Sequence, residues 1–392
     1  MNILILIRSI GKGIGGVEVV SISLANKFIQ EGHNTSIFVF TKGEVNITER
    51  LDKNVKLFVG YGYKNSKDNI EYLREILINN KINIIINQWG LPYLPIKVIN
   101  KARKDLDIKV ISIFHNDPCS NGRLKEVESA ITYTLNPIKR ILLEFKWSVF
   151  KFITSNSMKY VYNKSDKYLV LSPCYIEHFK RFTKIKNPYK LWVQTNPVTI
   201  EAGGYVYNAN IKQKEIIYVG RIDYNQKRVS RIIDTWYLLE KVFPDWSLTI
   251  VGDGPERKNI EKRIAEYKLK RVSLEGFKSP LEYYKRASIL LLASEFEGFP
   301  LVLAECMNFG VIPAVYGSFS AVYDIIENNK DGIICDYNKN GFPTQTMADK
   351  LSEIMLDVNK RNNMALNAIK KSKNYSIDNI YKSWEKLLNS LK

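Results

Sequence analysis

Residues 288–310 read SILLLASEFEGFPLVLAECMNFG. SILLLA is a short run dominated by aliphatic residues, the pattern of a strand covered on both faces rather than one alternating between core and water. SEFEGF is a polar turn at its end. Pro300 suits the first turn of a helix, where its missing N–H would lack a partner anyway. LVLAECMN then continues as an apolar helix, and Gly310 is its stop. A strand feeding a helix through a short loop is the repeating unit of an α/β protein with a parallel sheet.

The unit recurs on either side. EIIYVG (215–220), SLTIVG (247–252) and RVSLEG (271–276) precede it, and VIPAVY (311–316) follows. NILILI (2–7), TSIFVF (35–40), INIIIN (82–87), KVISIF (109–114) and KYLVLS (167–172) repeat it in the first half. Between the halves, TIEAGGYVYNANIKQK (199–214) is polar and glycine-containing, the composition of a linker. Two doubly wound domains are therefore expected, over about 1–200 and 201–375, facing each other across a cleft. The amphipathic IDNIYKSWEKLLNSL (377–391) makes a closing helix over 376–392. Ligands of such sheets bind outside the carboxyl ends of the strands, so residues directly after strands carry the chemistry.

With 392 residues and 45% apolar side chains, the chain is long enough for two cores. Cys119, Cys174, Cys306 and Cys335 form no CxxC pair, which argues against a disulfide framework or a zinc site and fits a reducing cytosol. MNILILIRSIGKG reads as a buried strand rather than a signal peptide, and no stretch reaches the roughly 18 apolar residues of a transmembrane helix. The formal net charge of +18 calls for an anionic partner. The excess is local: residues 136–190 hold 12 Lys/Arg against 3 Asp/Glu. Within them PIKRILLEFKWSVFKFITSNSMKYVYNK (137–164) interleaves cations with Leu, Phe, Trp and Tyr, the pattern of a helix lying in a membrane interface. A solvated basic face on an ordinary helix is the alternative. Nothing beyond charge points to nucleic acid.

Four places after strands hold candidate chemistry. Gly11-Lys12-Gly13-Ile14-Gly15-Gly16-Val17-Glu18 follows the first strand and opens a helix, so the backbone there suits an anion. Its spacing also satisfies GxGxxG, but the second strand ends in Thr41 and Lys42, with Glu44 only later, so the acidic residue of a dinucleotide site is missing. His115 stands at the end of KVISIF, placed to touch a substrate hydroxyl; His33 and His178 are expected to be structural. Arg221 and Lys227 straddle the loop after EIIYVG and suit a diphosphate. Glu297 lies in the loop after SILLLA, and Glu305 one to two turns into the next helix. Buried carboxylates need donors, and vicinal sugar hydroxyls supply them. Helix N–H groups between the two add room for phosphate. A capping Glu297 with a salt-bridged Glu305 is the structural alternative.

Gly15-Gly16-Val17-Glu18, VGRIDYNQKR (219–228) and SEFEGFPLVLAE (294–305) together resemble the retaining GT-B glycosyltransferases of family 4, whose signature is two glutamates separated by seven residues, here Glu297 and Glu305. The resemblance covers nearly the whole chain; Pro300 departs from the glycine many members carry. It implies two Rossmann-like domains, a terminal helix crossing back to the first, and a nucleotide-sugar donor held mainly by the second. The donor set it implies is Gly15, Gly16, Arg221, Lys227, Phe277, Glu297, Gly298, Phe299, Pro300, Leu301, Val302 and Glu305. Arg221 and Lys227 would hold the diphosphate, Glu297 the transferred sugar, Glu305 the ribose, Phe277 the base loop, and His115 the sugar near the reacting centre. Arg221 and Lys227 do the work of a metal, so neither metal nor cofactor is expected. The one Asp-x-Asp, Asp105-Leu106-Asp107, precedes a strand, at the wrong end for a site. The expected activity is transfer of a hexose or N-acetylhexosamine, with UDP as default nucleotide, to a saccharide acceptor on a lipid. Its place would be the cytoplasmic face of a bacterial inner membrane, in surface-polysaccharide or lipopolysaccharide assembly. An epimerase or phosphorylase of the same fold, or a non-enzymatic basic binding protein, are the rival readings.

Overall fold

A computed structural model describes residues 1–11, 15–43 and 48–391. Lys12, Gly13 and Ile14 of the glycine turn, and Glu44, lie outside them. The chain divides into two compact units, one of Met1–Thr199 with Ile377–Lys392, the other of Ile200–Ser376.

The first unit is built on β1 (Asn2–Ile10), β2 (Asn34–Lys42), β3 (Lys56–Val59), β4 (Ile84–Asn87), β5 (Lys109–Phe114), β6 (Lys167–Val170) and β7 (Leu191–Val193), in the order β3-β2-β1-β4-β5-β6-β7. The second holds β8 (Glu215–Val219), β9 (Ser247–Val251), β10 (Val272–Gly276), β11 (Ile289–Leu292), β12 (Ile312–Gly317) and β13 (Ile333–Asp336), in the order β10-β9-β8-β11-β12-β13. Neighbouring strands run parallel; Ile5 pairs with Ile37 on one side and Ile86 on the other. Ile3, Leu4, Ile5 and Leu6 are fully buried, as are Leu290 and Leu292, because helices cover both sheet faces.

Strand order reverses direction between β1 and β4 in the first sheet and between β8 and β11 in the second. Loops leave such a pair toward opposite faces, opening a crevice at the carboxyl ends. The terminal helix Ile377–Asn389 packs on the first unit: Trp384 meets Phe28 edge-on at 5.7 Å, and Tyr381 Oη lies 2.9 Å from His33 Nε2.

The helix of the opening stretch spans Leu301–Asn308. Pro300 is its N-cap with ψ 107°, extended rather than helical, so it stands one residue before the first turn and not in it. At the other end Gly310 takes φ +70°. Its N–H donates to the Met307 carbonyl and that of Val311 to the Cys306 carbonyl, each at 3.0 Å. This paired C-terminal closure needs a left-handed residue, which glycine adopts without a Cβ penalty.

Candidate active site

The loops after β8 and β11 meet at the second unit's switch point. The β8 loop is organised by Asp223. Its Oδ1 accepts the N–H of Gln226 at 2.7 Å and of Lys227 at 3.3 Å, and its Oδ2 accepts Arg221 Nε at 2.9 Å. The loop is anchored from the neighbouring strand's end by Ile222 N–H on the Asp253 carbonyl, 2.8 Å. It is stitched to the β11 loop by Glu295 N–H on the Gln226 carbonyl, 2.7 Å. Lys227 then points its ammonium at Glu297 Oε1, 2.6 Å away, while Gln226 Nε2 donates to Glu297 Oε2 at 3.2 Å.

Glu297 and Glu305 are each only 5% exposed. An ion pair this buried is a poor route to stability, because desolvation of both charges consumes most of the attraction. Its place at the carboxyl ends of two strands suits a ligand better than it suits the fold. Eight residues on, Tyr284 Oη donates to Glu305 Oε2 at 3.2 Å. Between the glutamates the chain opens the helix Leu301–Asn308, whose first N–H groups have no intrahelical acceptor. Arg221 is the accessible cation of the set, with its side chain 64% exposed. Phe277, directly after β10, is 75% exposed. Gly298 and Pro300 are buried, Leu301 and Val302 half-buried. Phe299 is also buried and packs edge-on against Tyr375 at 5.5 Å, so its ring belongs to the core.

In the first unit, Gly15 is the N-cap of the helix Gly16–Gln30 and donates its N–H to Glu18 Oε2 at 3.1 Å. Gly15 and Gly16 are both exposed. His115 follows β5 and lies 2.6 Å, Nε2 to Oε1, from Gln88, which follows β4. With the amide oxygen facing the ring, Nε2 carries the proton and Nδ1 keeps the lone pair. Desolvation pushes the imidazole down to about 4, so it is neutral at physiological pH. Gln88 escaped the sequence reading because a lone glutamine carries no motif; its position after a strand at the switch point was the available signal. The fold also joins Asp117 to His178, Oδ1 to Nδ1 2.8 Å, with Cys119 beside them. Sequence separation hid this cluster.

A partly open cavity of about 80 Å³ in the second unit lies elsewhere, lined by Tyr207, Lys212, Ser288, Gly310 and Arg361 among others. Lys212, Ser288 and Gly310 precede β8, β11 and β12, so the cavity sits at the amino ends of the strands, opposite the glutamates. Burial pushes the Lys212 ammonium there down to about 7.

The comparisons with known proteins agree with this geometry. Residues 14–201 match the model described as Glycosyltransferase Family 4, and residues 206–371 that described as Glycosyl transferases group 1. The chain is 23% identical over 380 residues, 96% of each chain, to a Campylobacter jejuni enzyme named GalNAc-alpha-(1->4)-GalNAc-alpha-(1->3)-diNAcBac-PP-undecaprenol alpha-1,4-N-acetyl-D-galactosaminyltransferase. It is 30% identical over 180 residues to the amylovoran biosynthesis glycosyltransferase AmsD of Erwinia amylovora, a match spanning 45% of this chain and 49% of that one. Among solved structures, Anabaena HepE in complex with UDP and glucose superposes with a TM-score of 0.75 at 16% identity over 100% of both chains. The chain has the GT-B fold and belongs to the group 1, family 4 glycosyltransferases.

Proposed function

We propose that the protein moves a hexose or N-acetylhexosamine from a nucleotide sugar, with UDP as the nucleotide, to a lipid-linked saccharide during assembly of a bacterial surface polysaccharide. The observation that carries this reading is the buried Lys227–Glu297 pair at the second switch point, with Glu305 one short helix segment away. Glu305 takes the ribose hydroxyls and Glu297 those of the transferred sugar. The diphosphate lies between them on the helix N-terminus, with Phe277 near the base.

As the sugar leaves, negative charge grows on the diphosphate. Arg221 and Lys227 stabilise it where it develops, a pre-organised arrangement that acts without rearranging solvent. No metal is required in this scheme. The acceptor hydroxyl attacks from the face the nucleotide leaves, with retention, and passes its proton to a donor phosphate oxygen. Neutral His115 accepts a hydroxyl hydrogen bond through Nδ1 rather than adding a charge.

The helix Pro137–Lys164 supports the lipid-linked acceptor. Ile138, Ile141, Leu142, Phe145, Phe152 and Ile153 follow a three-four spacing and are 55% to 71% exposed, while Trp147 Nε1 donates to Glu128 at 3.1 Å and ties the helix to its neighbour. Lys139, Arg140, Lys146 and Lys151 accompany the stripe. No helix of the described residues is long and apolar enough to cross a membrane. Such a stripe suits the anionic cytoplasmic surface of the inner membrane.

A thermal-shift series with UDP, GDP, ADP and their sugar conjugates tests the donor assignment, since ligand bound only by the native state raises Tm. The expected result is a shift with UDP ligands, unaffected by EDTA and lost in Glu305→Ala. No shift with any nucleotide overturns it. Flotation with anionic vesicles tests the membrane part: binding should fall at high salt and in a Phe145→Glu/Phe152→Glu variant.

A further inference from the structure

We infer that the first unit holds a metal site for a borderline-soft dication such as Zn2+, formed by Asp117, Cys119 and His178. One donor atom from each lies within 4.8 Å of the other two. Two of the ligands come from the turn after β5 and the third from the helix Tyr175–Thr183, so the site joins two separate elements. The turn is already fixed: Asp117 Oδ1 accepts the Cys119 N–H at 2.8 Å, and the Ser120 N–H reaches the Asp117 carbonyl at 2.9 Å. The second carboxylate oxygen of Asp117 is left for an ion.

The donor set selects the ion. Thiolate, imidazole and carboxylate together suit zinc or cobalt and not magnesium or calcium, which take oxygen. Metal–donor bonds of about 2.0–2.3 Å in a tetrahedron place donors roughly 3.3–3.7 Å apart. The present span needs only about an ångström of closure to reach that. Three protein ligands leave a fourth position for water, the open pattern of a non-structural zinc site.

Charge is balanced and the protons can be followed. Asp117 and the Cys119 thiolate neutralise the dication, and His178 binds neutral. Binding releases the Cys119 thiol proton to solvent, one per ion. Burial and the Asp117 carboxylate push that thiol up, while Arg181, 3.6 Å from Sγ, and Lys151 favour the thiolate. These two cations also repel the ion, so affinity should remain below that of a closed four-ligand site. His115 stands two residues before Asp117, so an occupied site fixes the turn that carries it.

Cobalt is the probe, because thiolate ligation gives a near-ultraviolet charge-transfer band and tetrahedral geometry gives visible bands. Wild type titrated with CoCl2 should show both, saturating at one ion per chain, and ZnCl2 should displace them. Cys119→Ser should abolish the charge-transfer band, and His178→Gln should weaken cobalt binding by at least about tenfold. Circular dichroism and Tm without metal confirm that the variants are folded, and Cys174→Ser should titrate as wild type. Absence of the band in wild type, or its persistence in Cys119→Ser, overturns the site. None of these readouts depends on sugar transfer.

Discussion

The carboxyl edges of the two sheets differ in kind. At the second unit's switch point the groups are charged and mutually paired: Lys227 on Glu297, Arg221 on Asp223. Among the described residues the pair set at the first unit's switch point is uncharged, a neutral His115 on Gln88, and the Asp117–His178 pair lies further along the same turn. Gln88 Nε2 and Trp89 Nε1 are buried there with no hydrogen-bond partner among the described residues. A pre-paired charged edge is arranged for a ligand that brings charge and exchanges partners. A neutral edge with spare donors is arranged for hydroxyls. The contrast is the one that the proposed function, with a diphosphate donor on one unit and a saccharide on the other, requires.

The largest effect should come from unbalancing the charged edge. Lys227→Met removes the cation and leaves Glu297 buried with Gln226 as its named partner. Transfer should fall by about 10²–10³, or about 2.7–4 kcal/mol of transition-state stabilisation. Stability should fall too, by about 3 kcal/mol, because half of a buried pair costs more than none. Lys227→Met/Glu297→Gln should recover most of the Tm and none of the activity. That cycle separates folding from catalysis. Recovery of both would reduce the pair to a structural bridge and erase the difference between the edges.

The neutral edge predicts a pH effect. The His115 imidazole falls from 6.5 unfolded to about 4 folded, so the unfolded chain binds the extra proton between those values. Its contribution is complete above about pH 6.5 and is lost as pH falls toward 4. At 1.36 kcal/mol per unit, and with a half-buried ring, the loss should be roughly 1–2 kcal/mol. Urea titrations at pH 7 and pH 4.5 should show His115→Gln losing less stability than wild type over that interval. Equal losses would mean that the ring is solvated and the edge is not neutral by design.

Much of this was legible in the sequence, for identifiable reasons. Each of the central strands is an aliphatic run covered on both faces, and the β8 and β11 loops carry charged residues immediately after such runs. β3, β7 and β13 were not anticipated. They are edge strands of three or four residues, and their apolar runs, LFV, LWV and IIC, are too short to stand out from a loop. The neutral edge was half legible. His115 stands out as a rare residue after a strand, but Gln88 is 27 positions away, and His178 is 61 from Asp117. Spacing along the chain carries no trace of contacts that only the sheet order creates.

The smallest effect concerns how the charged edge is held. Arg228, next to Lys227, sits at φ +50° and ψ 45° as the N-cap of the helix Val229–Leu239. Its guanidinium lies 4.0 Å over the Tyr224 ring, and its buried Nε has no hydrogen-bond partner among the described residues. A left-handed arginine costs about 1–2 kcal/mol. Glycine would remove that strain but lose about 0.5–1 kcal/mol to unfolded-state freedom and about 0.5 kcal/mol of stacking. Arg228→Gly should therefore stay within about 0.5 kcal/mol of wild type or gain slightly, whereas Arg228→Ala keeps the strain, loses the stacking and falls by about 0.5 kcal/mol. If the strained turn is what aims Lys227 at Glu297, the glycine variant should be as stable as wild type yet several-fold slower in transfer, since a loosened loop misplaces the ammonium. Chemical denaturation and kcat measured on both variants decide the matter. Equal stability of the two variants would show that the backbone relaxes, and that the charged edge is held by Asp223 alone.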